Sequence, residues 1–325
     1  MSQGAETHDW RSRHTPGDGV VRTNPELERR PGWLKVTTPT HGTINDVERI
    51  VHGNALHTVC ESASCPNRGE CWGRGTATLM ILGNICTRSC GFCGVKTGRP
   101  TEYDMAEPER VAEAVAVMKL SYVVITSVDR DDLKDGGSTV WAATINAVRN
   151  RCPETGIEVL IPDFRGVHDN QDRVFDARPH VLAHNLETVE TLTKHVRPQA
   201  DYRRSLETIA RAKTAGLVTK SGIMLGLGEE KADVLKAIRD LRHAGCDILT
   251  IGQYMQPTRN HLAVMRWVHP DEFAEYRAFA LSEGFRKVDS GPLVRSSYRA
   301  EEVMEPGSEL ADAVKRAIAA TTSRS

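Results

Sequence analysis

Aromatic residues are scarce in this chain, at 5% of 325 positions. Long apolar runs are missing too. The densest, Leu79-Met80-Ile81-Leu82, falls far short of the roughly 20 residues a bilayer span needs. Neither sign of charge dominates: 42 Lys+Arg stand against 43 Asp+Glu, a net charge of −1, which excludes a polycation for nucleic acid and an acidic tail. There is no internal repeat and no low-complexity tract. The opening MSQGAETHDWRSRH has no apolar signal-peptide centre, and Glu6, Asp9, Asp18, Glu26 and Glu28 do not suit an acid-poor transit peptide. A soluble cytoplasmic protein, without membrane or nucleic-acid partners, is expected. Cysteine is sparse as well, because eight in 325 cannot form a disulfide scaffold.

What is present is alternation. Short β-rich runs at Thr78–Leu82, Tyr122–Thr126, Ile157–Ile161, His180–Ala183, Ile223–Leu225 and Ile248–Ile251, with a weaker one at Phe285–Val288, alternate with segments of helical spacing. Val111, Val115 and Met118 follow Pro108, a first-turn proline, and Val234, Ile238 and Leu241 precede a stop at Gly245. Six or seven βα units predict an α/β fold built as a partial (β/α)6-type TIM barrel, its site at the carboxyl ends of the strands. The expected organisation is an N-terminal extension over 1–55, a cysteine loop over 56–75, the barrel over 76–290 and a C-terminal extension over 291–325.

Six of the cysteines cluster. CTRSCGFC places Cys86, Cys90 and Cys93 in C-x3-C-x2-C spacing just after the first strand, and CESASCPNRGEC places Cys60, Cys65 and Cys71 in C-x4-C-x5-C spacing upstream. Three thiolates are an incomplete set for structural zinc, which takes four ligands, but they suffice for a [4Fe–4S] cluster with one open iron. Six sulfurs are too many for one mononuclear site, so two metal centres are expected. Cys152 and Cys246 read as structural bystanders. The alternative from another class is a non-catalytic protein whose loops are stapled by zinc.

The downstream trio, with Phe92 before its last cysteine, resembles the signature of the radical S-adenosylmethionine superfamily. The order of the two trios resembles the lipoyl synthase family, and the surrounding segments agree: ASCPNRGECW, GTATLMILG, YVVITSVDRDDLKDGG, HNLET, TKSGIMLGLGEE, LTIGQYMQPTRNHL and SGPLVRSSY. The resemblance spans about residues 55 to 300. It implies a catalytic [4Fe–4S] cluster on Cys86, Cys90 and Cys93 that binds S-adenosylmethionine. It also implies an auxiliary, sulfur-donating [4Fe–4S] cluster on Cys60, Cys65 and Cys71. The fourth ligand implied there is a serine of RSSY, Ser296, with Ser297 as the fallback. Without the resemblance, a Ser-Ser pair reads as a turn or cap.

The implied reaction inserts two sulfurs, at C6 and C8 of an octanoyl group carried on a lysine. The implied substrates are lipoyl carrier domains of 2-oxoacid dehydrogenase subunits and a glycine-cleavage H protein. A low-potential electron donor and an iron–sulfur carrier protein are further implied partners. Related readings are other two-cluster sulfur-inserting enzymes, methylthiotransferases and biotin-synthase-like proteins, which place their extra cysteines differently and lack RSSY. Asn185 and Glu187, and Gly226, Gly228 and Glu229 after a strand, are implied cofactor contacts. The charged run Asp129-Arg130-Asp131-Asp132 faces the expected site, and Arg197 and Arg203 are candidates for a carboxylate or a carrier surface. His52, His57 and His261 read as ordinary surface or loop histidines. Arg299 stands where the family pattern has histidine. Radical chemistry needs a dry pocket, so the chain ends are expected to fold over the barrel mouth.

Overall fold

In the computed structural model the described residues are 27, 29–35, 42–62, 65, 67–73, 78–101, 104–305, 307 and 309–322. Most of the N-terminal extension lies outside them. Seven parallel strands form the barrel wall: β1 (Thr78–Ile81), β2 (Tyr122–Ser127), β3 (Gly156–Leu160), β4 (Val181–Ala183), β5 (Val218–Leu225), β6 (Ile248–Gln253) and β7 (Lys287–Gly291). They pair in sequence order, and the outer edge of β1 takes the short antiparallel strand His57–Thr58. β1 and β7 are not paired with each other. The wall is therefore an open, partial barrel.

Between the strands run α1 (Glu107–Met118), α2 (Ser138–Arg151), α3 (His168–Asp176), α4 (Tyr202–Thr214), α5 (Lys231–His243) and α6 (Pro270–Ser282), and α7 (Glu309–Thr322) follows β7. The periodic residues Val111, Val115, Val234, Ile238 and Leu241 are fully buried, as an apolar stripe against the sheet must be. Pro108 sits in the first turn of α1. Gly245, at φ +87°, turns the chain just after α5, where a side chain would be strained.

Two strands differ from the expectation. β5 begins at Val218, five residues before the expected Ile223, and β7 is displaced toward the C-terminus, to Lys287–Gly291. The cause is what fills the barrel. Val123, Ile125, Ile157, Val159 and Leu182 join the core beneath the helices, so the alternate residues of the same strands face the lumen. Glu158 is one of these, and it meets Lys220 of β5: Lys220 Nζ donates to Glu158 Oε1 at 2.8 Å, while Tyr122 Oη donates to Glu158 Oε2 at 2.8 Å. Polar lumen residues erase the hydrophobic signal of a strand.

The C-terminal segment does not lie over the mouth. Leu310, Val314 and Ile318 of α7 pack against Tyr122, Val181 and Ile248, the first residues of β2, β4 and β6. α7 thus closes the floor, at the amino ends of the strands. The expectation named the wrong end because the direction taken by a chain after its last strand leaves no mark in its periodicity.

The Lys220–Glu158 pair is almost wholly buried, at 5% and 2% side-chain exposure. Replacing Lys220 with Met leaves a buried carboxylate without its cation and is expected to cost about 3–5 kcal/mol. The double variant K220M/E158L should recover most of that loss, as read from urea unfolding midpoints.

Candidate active site

The first cysteine trio sits on a loop beyond the carboxyl end of β1, closed by a short parallel pair in which Cys86 lies beside Thr97. Its anchor is Arg88, buried between the first two cysteines at 4% exposure. Arg88 Nε and Nη2 donate to both oxygens of Asp131 (2.7 and 2.9 Å), and Nη2 also reaches Asp163 Oδ1 (2.7 Å). Asp129 Oδ1 lies 3.3 Å from Nε, and Arg204 Nε donates to the other oxygen of Asp163 at 2.6 Å. Burial would raise the Asp163 carboxyl, but Arg88, His184 and Arg204 hold it well below the usual carboxylate range. Asp129 goes the other way. Burial, with Asp163 and Asp131 near, pushes it up to about 6 despite Arg88.

Asp163 is presented by a turn in which Phe164, Arg165 and Gly166 all have positive φ (48°, 56° and 78°). Two non-glycine residues in the left-handed region cost stability, and the carboxylate they deliver is the one that both arginines share. The charged run singled out in the sequence is thus split in role. Asp129 and Asp131 hold the cysteine loop, and Arg130 pairs with Asp132 (2.9 Å).

All three thiols resist ionisation. Burial is the leading cause each time, aided by Asp129 at Cys86 and by Cys90 at Cys93, and it pushes both of these to about 12 and Cys90 upward. A thiophilic centre would replace those protons. Mononuclear zinc with Zn–S bonds near 2.3 Å brings sulfurs to about 3.8 Å from one another. Among the described residues, the group whose ligand atoms all lie within 4.8 Å is the largely exposed Glu48, His52 and Glu61, and neither cysteine trio is that compact. A polynuclear cluster suits the wider spread.

Around this loop are polar groups in need of partners. Among the described residues, Asn185 Oδ1 and Arg197 Nε are buried with no hydrogen-bond partner. Arg197 otherwise donates to the carbonyls of Asn185 and Leu186 (2.9 and 3.1 Å) and acts electrostatically on Cys90. The Glu187 carboxyl is raised by burial and takes a hydrogen bond from Asn185 Nδ2 at 3.0 Å. Gly222 makes the room, since a Cβ there would stand 3.0 Å from Asn185 Oδ1 and 2.7 Å from Thr250 Oγ1. Unmet donors and acceptors of this kind fit the ammonium, carboxylate and hydroxyl groups of S-adenosylmethionine.

The glycine loop is also here, at the end of β5. Gly226 and Gly228 have φ of +97° and +106°. Both oxygens of Glu229 are taken by the loop itself, from Gly226 N (2.7 Å) and Leu227 N (2.9 Å), so this carboxylate braces the loop and the surface offered is glycine backbone. Arg203, by contrast, is 70% exposed and pairs with Glu190, away from the cysteines. His52 and Glu61 form an exposed pair at 3.1 Å, while His57 is half-buried. His261 is not an ordinary loop histidine, for its Nε2 contacts the Cys93 carbonyl at 2.9 Å.

The second trio lies at the other end of the barrel. Cys60, Cys65 and Cys71 line a cavity with Thr78 and Tyr122, the first residues of β1 and β2, and with Arg295 and Ser297. Cys60 and Cys71 are raised by burial and mutual repulsion, Cys71 to about 12. Of the two serines, Ser297 is the one at the cavity, where it accepts a 2.8 Å hydrogen bond from Thr78 Oγ1. Ser297, the fallback, lines the cavity, and Ser296 is not among its lining residues. The chain turns here, with Tyr298 N donating to Arg295 O at 3.0 Å, and adjacent residues at the centre of a turn point apart. Arg299 lies outward, near Glu70 and Glu302. Cys246 is buried with Sγ directed at Ile248 O, and Cys152 caps α2, both apart from either trio.

This constellation defines a class. Residues 80–253 match the model of the radical SAM superfamily, and the fold is shared with Streptococcus suis SuiB bound to S-adenosylmethionine (TM-score 0.53, 9% identity, 74% of this chain and 60% of that one). It is shared too with methylornithine synthase (TM-score 0.50, 13% identity, 85% and 91%). Within that class, the chain is 55% identical to the lipoyl synthase of Flavobacterium johnsoniae over 84% of its length and 95% of that protein's. It is 55% identical to the lipoyl synthase of Rubrobacter xylanophilus (92% and 96%) and 54% identical to the mitochondrial one of Nematostella vectensis (86% and 96%). The chain belongs to the lipoyl synthase family, a family of sulfur-inserting radical SAM enzymes.

Two histidines make the framework around this site acid-sensitive. Burial, with Arg149 near His180 and Arg197 near His184, pulls both from 6.5 down to about 4. Between those values the unfolded chain holds protons that the native one refuses, so stability falls as pH drops from 6.5 to 4, by about 3 kcal/mol per histidine. Replacing His180 with Asn keeps an acceptor for the Ile157 N–H, which now bonds to Nδ1 at 2.9 Å, and should remove about half of that slope in urea midpoints measured against pH.

Proposed function

We propose that this enzyme makes the lipoyl group in place, inserting sulfur at C6 and C8 of an octanoyl chain held on a lysine of lipoyl carrier domains. Those domains would be 2-oxoacid dehydrogenase subunits and a glycine-cleavage H protein, met in the cytoplasm. One observation supports this above the others: two three-thiol sets stand at opposite ends of one parallel barrel. Strands of four to eight residues, rising about 3.3 Å each, separate the ends by roughly 13–26 Å.

Cys86, Cys90 and Cys93 would hold a [4Fe–4S] cluster with an open iron, and Cys60, Cys65, Cys71 and Ser297 a second one. Asn185, Glu187, Arg197 and the backbone of Gly226 and Gly228 would hold S-adenosylmethionine. When bound, these groups supply reductive cleavage of a sulfonium to a carbon radical at one end, and sulfide for the activated carbon at the other.

The protein's own share is placement and dryness. Arg88, fixed by three carboxylates, keeps the first loop in one position. Arg197 offers a buried cation to a carboxylate, and Glu187 offers an acceptor to an ammonium or hydroxyl group. α7 and the turn at Arg295 to Tyr298 seal the floor against water, which would quench a radical. Ser297 Oγ is a harder, weaker donor to iron–sulfur than thiolate, which suits a centre that has to be opened. A low-potential electron donor and an iron–sulfur carrier protein for rebuilding the second centre complete the proposed partners.

Anaerobically purified protein should be brown with about eight irons per chain, and should thiolate an octanoylated lysine peptide given S-adenosylmethionine and a reductant. Ser297→Ala should lose iron from the second site and form no dithiolated product, while Ser296→Ala keeps both. Colourless protein carrying one or two zincs, or no thiolated product with both clusters present, would overturn the proposal.

A further inference from the structure

The segment after β6 lies as a strap over the first cysteine loop. Leu262 N donates to Gly91 O at 2.9 Å, and the Leu262 side chain occupies the space that a Cβ on Gly91 would take, 2.8 Å away. Tyr254 Oη fixes the strap from beneath by donating to Leu262 O at 2.7 Å. Gln256 Nε2 donates to His261 O at 2.9 Å. At the centre, His261 Nε2 meets Cys93 O at 2.9 Å and His261 Nδ1 meets Thr258 Oγ1 at 2.8 Å.

The protons follow from the partners. A carbonyl only accepts, so Nε2 carries hydrogen. Thr258 Oγ1 already accepts from Asn260 N at 3.2 Å, which leaves its own hydrogen for Nδ1. Nε2–H is therefore directed at the Cys93 carbonyl.

We propose that His261 is a positioning residue that sets the reduction potential of the first cluster through the Cys93 peptide. His261 holds the Cys93 carbonyl at 2.9 Å, and the Val95 backbone N–H acts on the sulfur of the same residue as a hydrogen-bond donor. Hydrogen bonds to sulfur favour the more negative, reduced cluster and raise its potential. An imidazole that contacts only the Cys93 carbonyl thus acts on the sulfur without touching it. Partners of this kind tune metal sites as the ligands themselves do.

The inference rests on Cys93 being a cluster ligand. The test uses full-length protein in which Cys60, Cys65 and Cys71 are Ala, so that one cluster reports, with an EPR-monitored redox titration without substrate. His261→Leu should lower the midpoint by an amount equal to about a tenfold loss of relative stability of the reduced state, 59 mV for one electron. His261→Gln, which restores an N–H at the same reach, should return it to the parent value. An unmoved midpoint in H261L at full iron occupancy, or a midpoint in H261Q equal to that of H261L, overturns the proposal. If H261L holds no iron, Thr258→Val decides: a smaller shift in the same direction supports the role, and none refutes it. Absence of any cluster signal in the parent would instead fail the ligand assignment of Cys93.

Discussion

A single guanidinium, Arg88, shares a dry space with three carboxylates, and the first cysteine loop leans on it. Such a cluster needs opposite charges in contact, and its partners come from two strand ends and one helix. Asp129 and Asp131 follow β2, Asp163 follows β3, and Arg204 on α4 offsets part of the surplus negative charge. The cysteine loop is thereby referred to the barrel wall rather than to solvent. The left-handed turn at Phe164 and Arg165 is the cost of bringing Asp163 into that position.

Below this the lumen holds a second buried charge system, Lys220 with Glu158 and Tyr122. A barrel filled only with aliphatic layers would be a solid core. Here the wall residues alternate between an apolar outer layer and a mixed inner one, and Gly222 and Gly252 remove side chains where other groups come close. A Cβ on Gly252 would meet Val294 O at 2.1 Å, so the C-terminal turn is seated directly against β6.

Much of this could be read from the chain. The strands with apolar faces, the helices with clean stripes and the two thiol sets all leave local signals. Failures occurred where the determining contact is remote. Arg88 and Asp163 are 75 residues apart, and nothing near either names the other. β5 was read five residues short because Lys220 puts a charge on its lumen face while Thr219 and Ser221 put hydroxyls on the other. Ser296 and Ser297 are equivalent in sequence, and only the fold shows that Ser297 is the one that accepts a hydrogen bond from Thr78. His261 was passed over because a histidine in a loop has no pattern; its partner is a backbone carbonyl, which no side-chain motif encodes.

The floor cavity also has a temporal meaning. Asn67 Nδ2 donates to Leu293 O, Thr78 Oγ1 to Ser297 Oγ and Tyr298 Oη to Glu70 Oε1, contacts spanning 226, 219 and 228 residues. These bonds fasten the beginning of the described chain to its end. Closing so large a loop is entropically expensive, and during synthesis it waits for the last segment to leave the ribosome. The hydrogen bonds described above for the upper thiol loop reach no further along the chain than Leu262. One chain thus acquires its two sulfur-rich chambers in sequence, the mouth first and the floor as the final act of folding.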